Sequence, residues 1–467
     1  MTDASIDQQQ RFQQGHEVGE LAHRMFPGGV LVDNELEFEE HIARSSKLLQ
    51  LRQPLFEAAF SIPGAYARAD VLNPVGDRQW DLIEVKSASN VWSDSAKTKV
   101  KEVYLDDIAF QLFVFERSGI DVRRCALLSV NTGYVRRGSL SPEDFFLSHD
   151  VSQEVRAKLA KVAGDLDRLL VTLTDPDEPS ITIGAHCHKP YECEVVAHCW
   201  RDVPANSVHT LYRIGAKAHE MWRNGVRTIV DIPKDVKLTR RQQIQVDQEL
   251  AGMVHLEKES VQEYIRRLQF PLSFLDFETF QLAIPPYDGC RPYTQIPFQY
   301  SLHVIDAPGN EPIHYDFLGE GSADPRPALV EALRKQLPGT GSIITYNAVF
   351  EMSRLKELAL CFPEYSDWVT ECLPRIEASD LLHPFREFHV YHPQQFGSAS
   401  IKSVLPLFSD ISYDDLAIRD GSTAAAEFLR LVKAEDADAT RDNLRNYCRR
   451  DTFAMVRILE RLRELVL

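Results

Sequence analysis

The spacing of apolar and polar positions divides the chain into two strand-rich regions separated by a shorter helical stretch. Residues from about Arg11 to Phe26 follow helical spacing. The segments Leu55–Ile62, Ala65–Leu72, Trp80–Val85 and Cys125–Val130 read as strands, with a helix over Tyr104–Arg117. A helix from about Ser152 to Thr172 ends in the loop Thr174-Asp175-Pro176-Asp177-Glu178-Pro179. Short helices are expected between Val208 and Asp247 around Asn224-Gly225, and from Leu272 strands alternate with helices to the C-terminus. There is no internal repeat and no low-complexity tract. The pattern predicts an α/β protein in three parts: an N-terminal α/β domain over residues 1–204, a small helical connector over 205–268, and a C-terminal α/β domain over 269–467.

Acids interrupt this pattern where apolar residues belong. In Leu275-Asp276-Phe277-Glu278-Thr279, strand alternation sends Asp276 and Glu278 to one face and Leu275 and Phe277 to the other. Asp and Glu are seldom fully buried unless paired or metal-bound, so this pair calls for a cation. In Ile343-Ile344-Thr345-Tyr346-Asn347-Ala348-Val349-Phe350-Glu351 a strand enters a helix, and Glu351 shares a helical face with Leu355 and Leu358. The last helix carries the apolar stripe Leu444, Tyr447, Cys448, Met455, Ile458, Leu462, and Asp451 sits inside it, one turn from Tyr447. Asp276, Glu278, Glu351 and Asp451 suit a two-metal centre that activates water against a phosphodiester. An all-oxygen donor set with no supporting His or Cys favours Mg²⁺ or Mn²⁺ over zinc.

A second constellation lies upstream. In Trp80-Asp81-Leu82-Ile83-Glu84-Val85-Lys86, Glu84 and Lys86 share a strand face, and the turn-rich stretch Asn73-Pro74-Val75-Gly76-Asp77 predicts a hairpin that brings Asp70 near Glu84. Two carboxylates can hold one or two divalent ions while the lysine orients a water. Glu57, on the preceding strand, is an additional candidate acid.

Composition narrows these readings. At 467 residues the chain is too long for one typical core, and 44% hydrophobic with 26% charged residues is ordinary for a globular protein. A net charge of -17 excludes a basic, sequence-independent nucleic-acid coat protein but not a metal-dependent nuclease, whose acids are neutralised by cations. The polar opening from Met1 to Gln14 and the lack of a membrane-length apolar run make a cytoplasmic protein without a membrane partner the default. Of eight cysteines, Cys187, Cys193 and Cys199 lie close together, which in a reducing compartment suggests ligation rather than disulfides.

Residues from about 271 to 467 resemble the RNase H-like 3′–5′ exonucleases of the DEDD type. Asp276-x-Glu278 matches their first motif, Tyr346-Asn347 with Glu351 the second, and Tyr447-x-x-x-Asp451 the third motif of the tyrosine-bearing subclass. The resemblance implies that the four acids ligate two metals and that Tyr447 orients the attacking water. Glu351 departs from the usual Asp. Asp380 is a second-ranked acid, and Lys402 is either a phosphate contact or a solvated lysine at a helix start.

The N-terminal string is similar to the RecB-like branch of the PD-(D/E)xK nucleases, which implies a restriction-endonuclease-like fold. Gly19-Glu20-Leu21-Ala22-His23 matches that branch's Gly-x-x-x-His helix, making His23 a metal ligand with Asp70 and Glu84, and Gln111 matches its Gln motif, although Phe115 stands where tyrosine is usual. Cys187-x5-Cys193-x5-Cys199 resembles the last three ligands of the 4Fe–4S staple of such nucleases. The fourth cysteine is missing, leaving three alternatives: a misplaced start, substitution by His186, His188 or His198, or loss of the cluster. Leu211–Pro233 resembles a helix-hairpin-helix element, with a plain helical linker as the alternative. The order of these parts resembles the bacterial two-nuclease family built around domain of unknown function 2779. It implies phosphodiester hydrolysis, with DNA the favoured substrate. RNA, or a binding scaffold with one or both sites inactive, are the alternatives.

Overall fold

Near-continuous apolar runs with β-branched and aromatic residues form the strands at the centre of each sheet, because such strands bury both faces. The computed structural model describes residues 6–32, 36–321, 323–431 and 438–467. Met1 to Ser5, the first part of the polar opening, lie outside the described residues. The chain is a mixed α/β protein of two compact units, Met1–Ile181 with Gln281–Thr294, and Thr182–Phe280 with Gln295–Leu467. No helix among the described residues is long and apolar enough to cross a membrane.

The first unit is built on six strands: β1 (Val30–Leu31), β2 (Leu55–Ile62), β3 (Ala65–Val75), β4 (Gln79–Lys86), β5 (Val122–Val130) and β6 (Phe146–Asp150), adjacent in that order. β2, β3 and β4 form an antiparallel meander, β5 runs parallel to β4, and β1 runs parallel to β2. One face, with Leu82 and Ala69, packs on Leu105, Ile108 and Leu112 of the helix Glu102–Arg117. The other face, with Phe56, Val71 and Ile83, packs on Val18, Leu21 and Ala22 of the helix Ile6–His23. The hairpin turn is tighter than its composition suggests. β3 continues to Val75, pairing Asn73 with Asp81 and Pro74 with Trp80, so only residues 76–78 turn, with Gly76 at φ +54°. The helix expected over Ser152–Thr172 is two pieces, Ser152–Arg156 and Leu159–Thr174, and the expectations omitted the helix Phe38–Leu48 and strand β6.

The second unit holds a short pair, β7 (His255–Leu256) with β12 (Val390–Tyr391), and a four-stranded sheet. That sheet comprises β8 (Leu272–Phe280), β9 (Ile296–Ile305), β10 (Ile313–Leu318) and β11 (Ser342–Ile344) in the order β10-β9-β8-β11. β8, β9 and β10 are antiparallel, and β11 is parallel to β8. Leu275 and Phe277 pack with Leu329, Leu333 and Leu355 on one face. The opposite face carries the helices Gly421–Leu431 and Asp438–Val466. Between the cysteine segment and β7 lie the helix Ala216–Arg223, a single turn at Ile229–Asp231 and the helix Arg240–Ala251, around a small core of Leu211, Ile229 and Val246.

Candidate metal centres

In the second unit, alternation along β8 directs Leu275 and Phe277 into the helical layer and leaves Asp276 and Glu278 on the face covered by the last helix. β11 runs parallel to β8 with Ile344 opposite Phe274, so the turn after β11 starts the helix Ala348–Cys361 beside Asp276. Glu351 lies in its first turn, 1% exposed, and one of its carboxylate oxygens is buried with no hydrogen-bond partner. Asn347 takes φ +90° at this turn, and its N–H donates to Asp380 Oδ1 at 3.0 Å. Asp380 also accepts from the Leu382 N–H at 3.1 Å. That acid therefore fixes the bend that delivers Glu351.

The last helix is held in register by a buried polar latch. Thr452 Oγ1 bonds Ser301 Oγ at 2.6 Å and His303 Nδ1 at 2.8 Å, and Gln299 Nε2 donates to the Leu444 carbonyl at 3.0 Å. This sets Asp451 and Cys448 over β8. Ligand atoms of Asp276, Glu278 and Cys448 lie within 4.8 Å of one another. The Cys448 thiol points at Asp276 Oδ2, 3.9 Å away. Asp451 accepts from the Tyr413 hydroxyl at 2.5 Å, and the Tyr447 hydroxyl is near enough to favour its charged form. Gly421 leaves room beside Glu278, since a Cβ there would sit 3.2 Å from its carboxylate oxygen.

Electrostatics mark this cluster as starved of positive charge. Burial, then the charge of Asp451, pushes Asp276 well above the carboxylate range. Burial, then Asp276 and Asp451, does the same to Glu278, and burial with Asp276 raises Glu351. Burial lifts Asp451 to about 6 against the pull of Tyr413. Among the described residues none of the four is in an ion pair. Two cations lie near without pairing: Lys402, which pulls on Glu278 and Asp451 with its ammonium 5.8 and 5.9 Å from the ring centres of Tyr413 and Tyr447, and Arg354, which pulls on Glu351. The partnerless Glu351 oxygen, the space at Gly421 and the carboxylate-rich donors fit divalent cations.

The first unit gathers its predicted residues differently. Residues His23, Glu57, Asp70, Glu84 and Lys86 line one cleft of about 500 Å³. The β3–β4 register sets Asp70 across from Glu84, and Asp70 Oδ2 accepts the Val85 N–H at 2.6 Å. Glu84 is held by Lys86 Nζ at 2.6 Å and by Gln111 Nε2 at 2.7 Å. Lys86 also reaches Asp107 at 2.7 Å, an acid one helical turn before Gln111 that the sequence reading omitted. Burial, then Asp70, raises Glu84 to about 8, and burial raises Asp70 to about 6. Burial alone would lower Lys86, but Glu84 and Asp107 overcome it and drive it up. His23 stacks on Phe56 with ring centres 3.9 Å apart, and its Nε2 is buried without a partner. Glu57 pairs with Arg68 at 2.9 Å and adopts φ +59°, a left-handed conformation costly for a strand glutamate and typical of functional sites. The orphaned His23 nitrogen beside two carboxylates fits one divalent ion.

The cysteine segment is less convergent. Cys187 is buried and its sulfur accepts the Gly184 N–H at 3.4 Å, whereas Cys193 is half-buried and Cys199 exposed. Among the described residues these thiols do not gather within 4.8 Å as the acids of β8 do. Three thiolates are one short of a 4Fe–4S set, so no part of the chemistry below runs through this segment.

Residues 273–400 match the model of a family described as a domain of unknown function, DUF2779. The match takes in Asp276, Glu278 and Glu351 and stops before Tyr447 and Asp451. The "Uncharacterized protein MG366 homolog" of Mycoplasma pneumoniae is 28% identical over 207 residues, 40% of this chain and 31% of the relative. The "Uncharacterized protein UU173" of Ureaplasma parvum serovar 3 is 24% identical over 226 residues, 41% of this chain and 31% of the relative. The chain thus spans about a third of the length of these curated relatives. No solved structure matches it significantly.

Proposed function

We propose that this chain is a metal-dependent nuclease that hydrolyses phosphodiester bonds of DNA. In this reading residues 269–467 are an RNase H-like DEDD exonuclease domain of the tyrosine type acting 3′ to 5′, residues 1–204 are a RecB-like PD-(D/E)xK domain with its own site, and 205–268 connect them. The observation that carries the reading is the set Asp276, Glu278, Glu351 and Asp451, drawn from three separate elements around Tyr447 with no ion-pair partner among the described residues. The strand order β10-β9-β8-β11, with the acids on the central strand β8, is the order an RNase H-like sheet would have. The β2-β3-β4 meander followed by a helix and a parallel β5 likewise suits a restriction-endonuclease-like core.

Bound Mg²⁺ or Mn²⁺ would supply Lewis acidity and a nucleophilic water near neutral pH. Asp276, Glu278, Glu351 and Asp451 would hold such ions in the C-terminal site, and His23, Asp70 and Glu84 in the N-terminal one. Tyr447, buried and tied to Asp451, keeps its proton and presents a fixed hydroxyl for orienting water. Lys402 offsets part of the negative field through which a phosphate must approach. Gln111 locks the Glu84 carboxylate, and Lys86 lies within reach of a water at that acid.

The test uses end-labelled single-stranded DNA and RNA with Mg²⁺, Mn²⁺ or chelator, comparing wild type with Asp276→Asn and Glu84→Gln. Asp276→Asn should slow release of 3′ nucleotides by roughly 100-fold or more, while Glu84→Gln leaves that activity in place. Wild-type rates from both variants would sink the assignment, and RNA degraded much faster than DNA would move the substrate to RNA.

A further inference from the structure

Cys448 is fully buried, and its sulfur lies in the acid cluster rather than in the apolar layer. It precedes Asp451 by three positions, so the helix turns the two to neighbouring places on one face. A thiol adds nothing to the binding of Mg²⁺, which demands oxygen ligands. It adds much to zinc-class ions, which bind thiolate at about 2.3 Å and carboxylate at about 2.1 Å with tetrahedral geometry. With Asp276 and Glu278 the sulfur completes three convergent donors. Glu351, almost entirely buried with an unpartnered oxygen, lies outside this three-donor set, which leaves the fourth tetrahedral position to water.

We propose that Asp276, Glu278 and Cys448 form a mixed carboxylate–thiolate site that captures a thiophilic divalent cation and thereby blocks the hard-metal arrangement needed for hydrolysis. This rests on reading the acid cluster as a metal centre. On capture a sulfur–metal bond forms, the thiol proton leaves to solvent, and nothing is oxidised or reduced. Zinc sits above Mn²⁺ in the general affinity order for such sites, so small amounts would compete with an excess of hard metal.

Cadmium is the probe, because its thiolate complexes absorb in the near ultraviolet. The full chain, stripped with chelator, is titrated with Cd²⁺ as wild type, Cys448→Ser, Asp276→Asn and a triple Ser variant of Cys187, Cys193 and Cys199. Free Mn²⁺ is followed in parallel by electron paramagnetic resonance. One equivalent of the cadmium band should disappear in both Cys448→Ser and Asp276→Asn and persist in the triple variant, with cadmium affinity falling roughly 100-fold. Glu278→Gln, which keeps the thiol, should weaken the band as well, guarding against misfolding of a single variant. A band unchanged in Cys448→Ser, or lost there but indifferent to Asp276→Asn, overturns the proposal. Mn²⁺ binding without a Cys448-dependent band overturns this inference alone, whereas no Mn²⁺ binding at all counts against the parent reading.

Discussion

In the first unit Glu84 lies against Lys86 at 2.6 Å and accepts from Gln111, so one buried acid carries its own counter-charge. In the second unit three buried acids, Glu278, Glu351 and Asp451, and the half-buried Asp276 have hydroxyls, a thiol and a backbone turn around them, and the Lys402 ammonium stands 5.8 and 5.9 Å from the rings of Tyr413 and Tyr447. The comparison separates two ways of keeping carboxylates in an apolar setting. One builds a cation into the chain, which offsets part of the acids' charge. The other leaves the acids without an ion pair, which on the proposed reading makes the site depend on an ion from solution. On the proposed reading the first arrangement would resist loss of metal, and the second would be tuned by which metal is present.

The sharpest way to break the contrast is to remove the built-in cation. Lys86→Met leaves Glu84 buried and unpaired and should destabilise the protein by about 3 kcal/mol, read from denaturant unfolding. A change near zero would mean that Lys86 is not balancing Glu84. Adding Mn²⁺ to the stripped protein at about 100 times Kd should stabilise it by about 2.7 kcal/mol, and Asp276→Asn should lose most of that gain.

The pH dependence follows from the raised carboxylates. Glu84 (about 8), Asp70 and Asp451 (both about 6) hold protons more tightly folded than unfolded. Their contribution is fully present below about pH 4, where both states are protonated, and is lost as pH rises through 6 and then 8. Metal-free protein should therefore lose stability from pH 5 to 8 in thermal melts, and Mn²⁺ should flatten that decline. A decline that is identical with and without metal would contradict metal binding at both acid sites.

Smaller effects test the supports. Thr452→Val strands His303 Nδ1, while Ser301 keeps His314, and should cost about 1–2 kcal/mol, with a slower rate of the proposed exonuclease reaction because Asp451 rides on the same turn. Asp276→Asn without metal should stabilise the protein by roughly 1 kcal/mol while slowing the proposed 3′-end degradation, since it removes an acid whose charged form its neighbours disfavour. Destabilisation by this variant in chelator would show that Asp276 is a structural acid.

Much of the candidate chemistry was legible from short-range periodicity. Alternation alone placed Asp276 and Glu278 opposite Leu275 and Phe277, and helical spacing put Glu351 and Asp451 on apolar stripes. Other participants left no such trace. Tyr413 comes from an irregular segment, and nothing in its neighbourhood ties it to Asp451. Cys448 was visible only as one more member of an apolar stripe, because a buried thiol and a small hydrophobe look alike in a pattern. By sequence Asp380 is a second-ranked candidate acid, and only the fold shows that it holds the Asn347 turn.

By itself the sequence determined which residues share a face, because a strand repeats every two residues and a helix every 3.6 wherever they lie. It thus named both sets of acids and the strands and helices that carry them. Only the tertiary structure decided which faces meet. The parallel pairing of β11 with β8 brought Glu351 to Asp276, the Thr452 latch set Asp451 and Cys448 over Glu278, and the β3–β4 register set Asp70 opposite Glu84. Those contacts join residues distant along the chain, and long-range register is fixed by the packing of whole elements rather than by any local pattern.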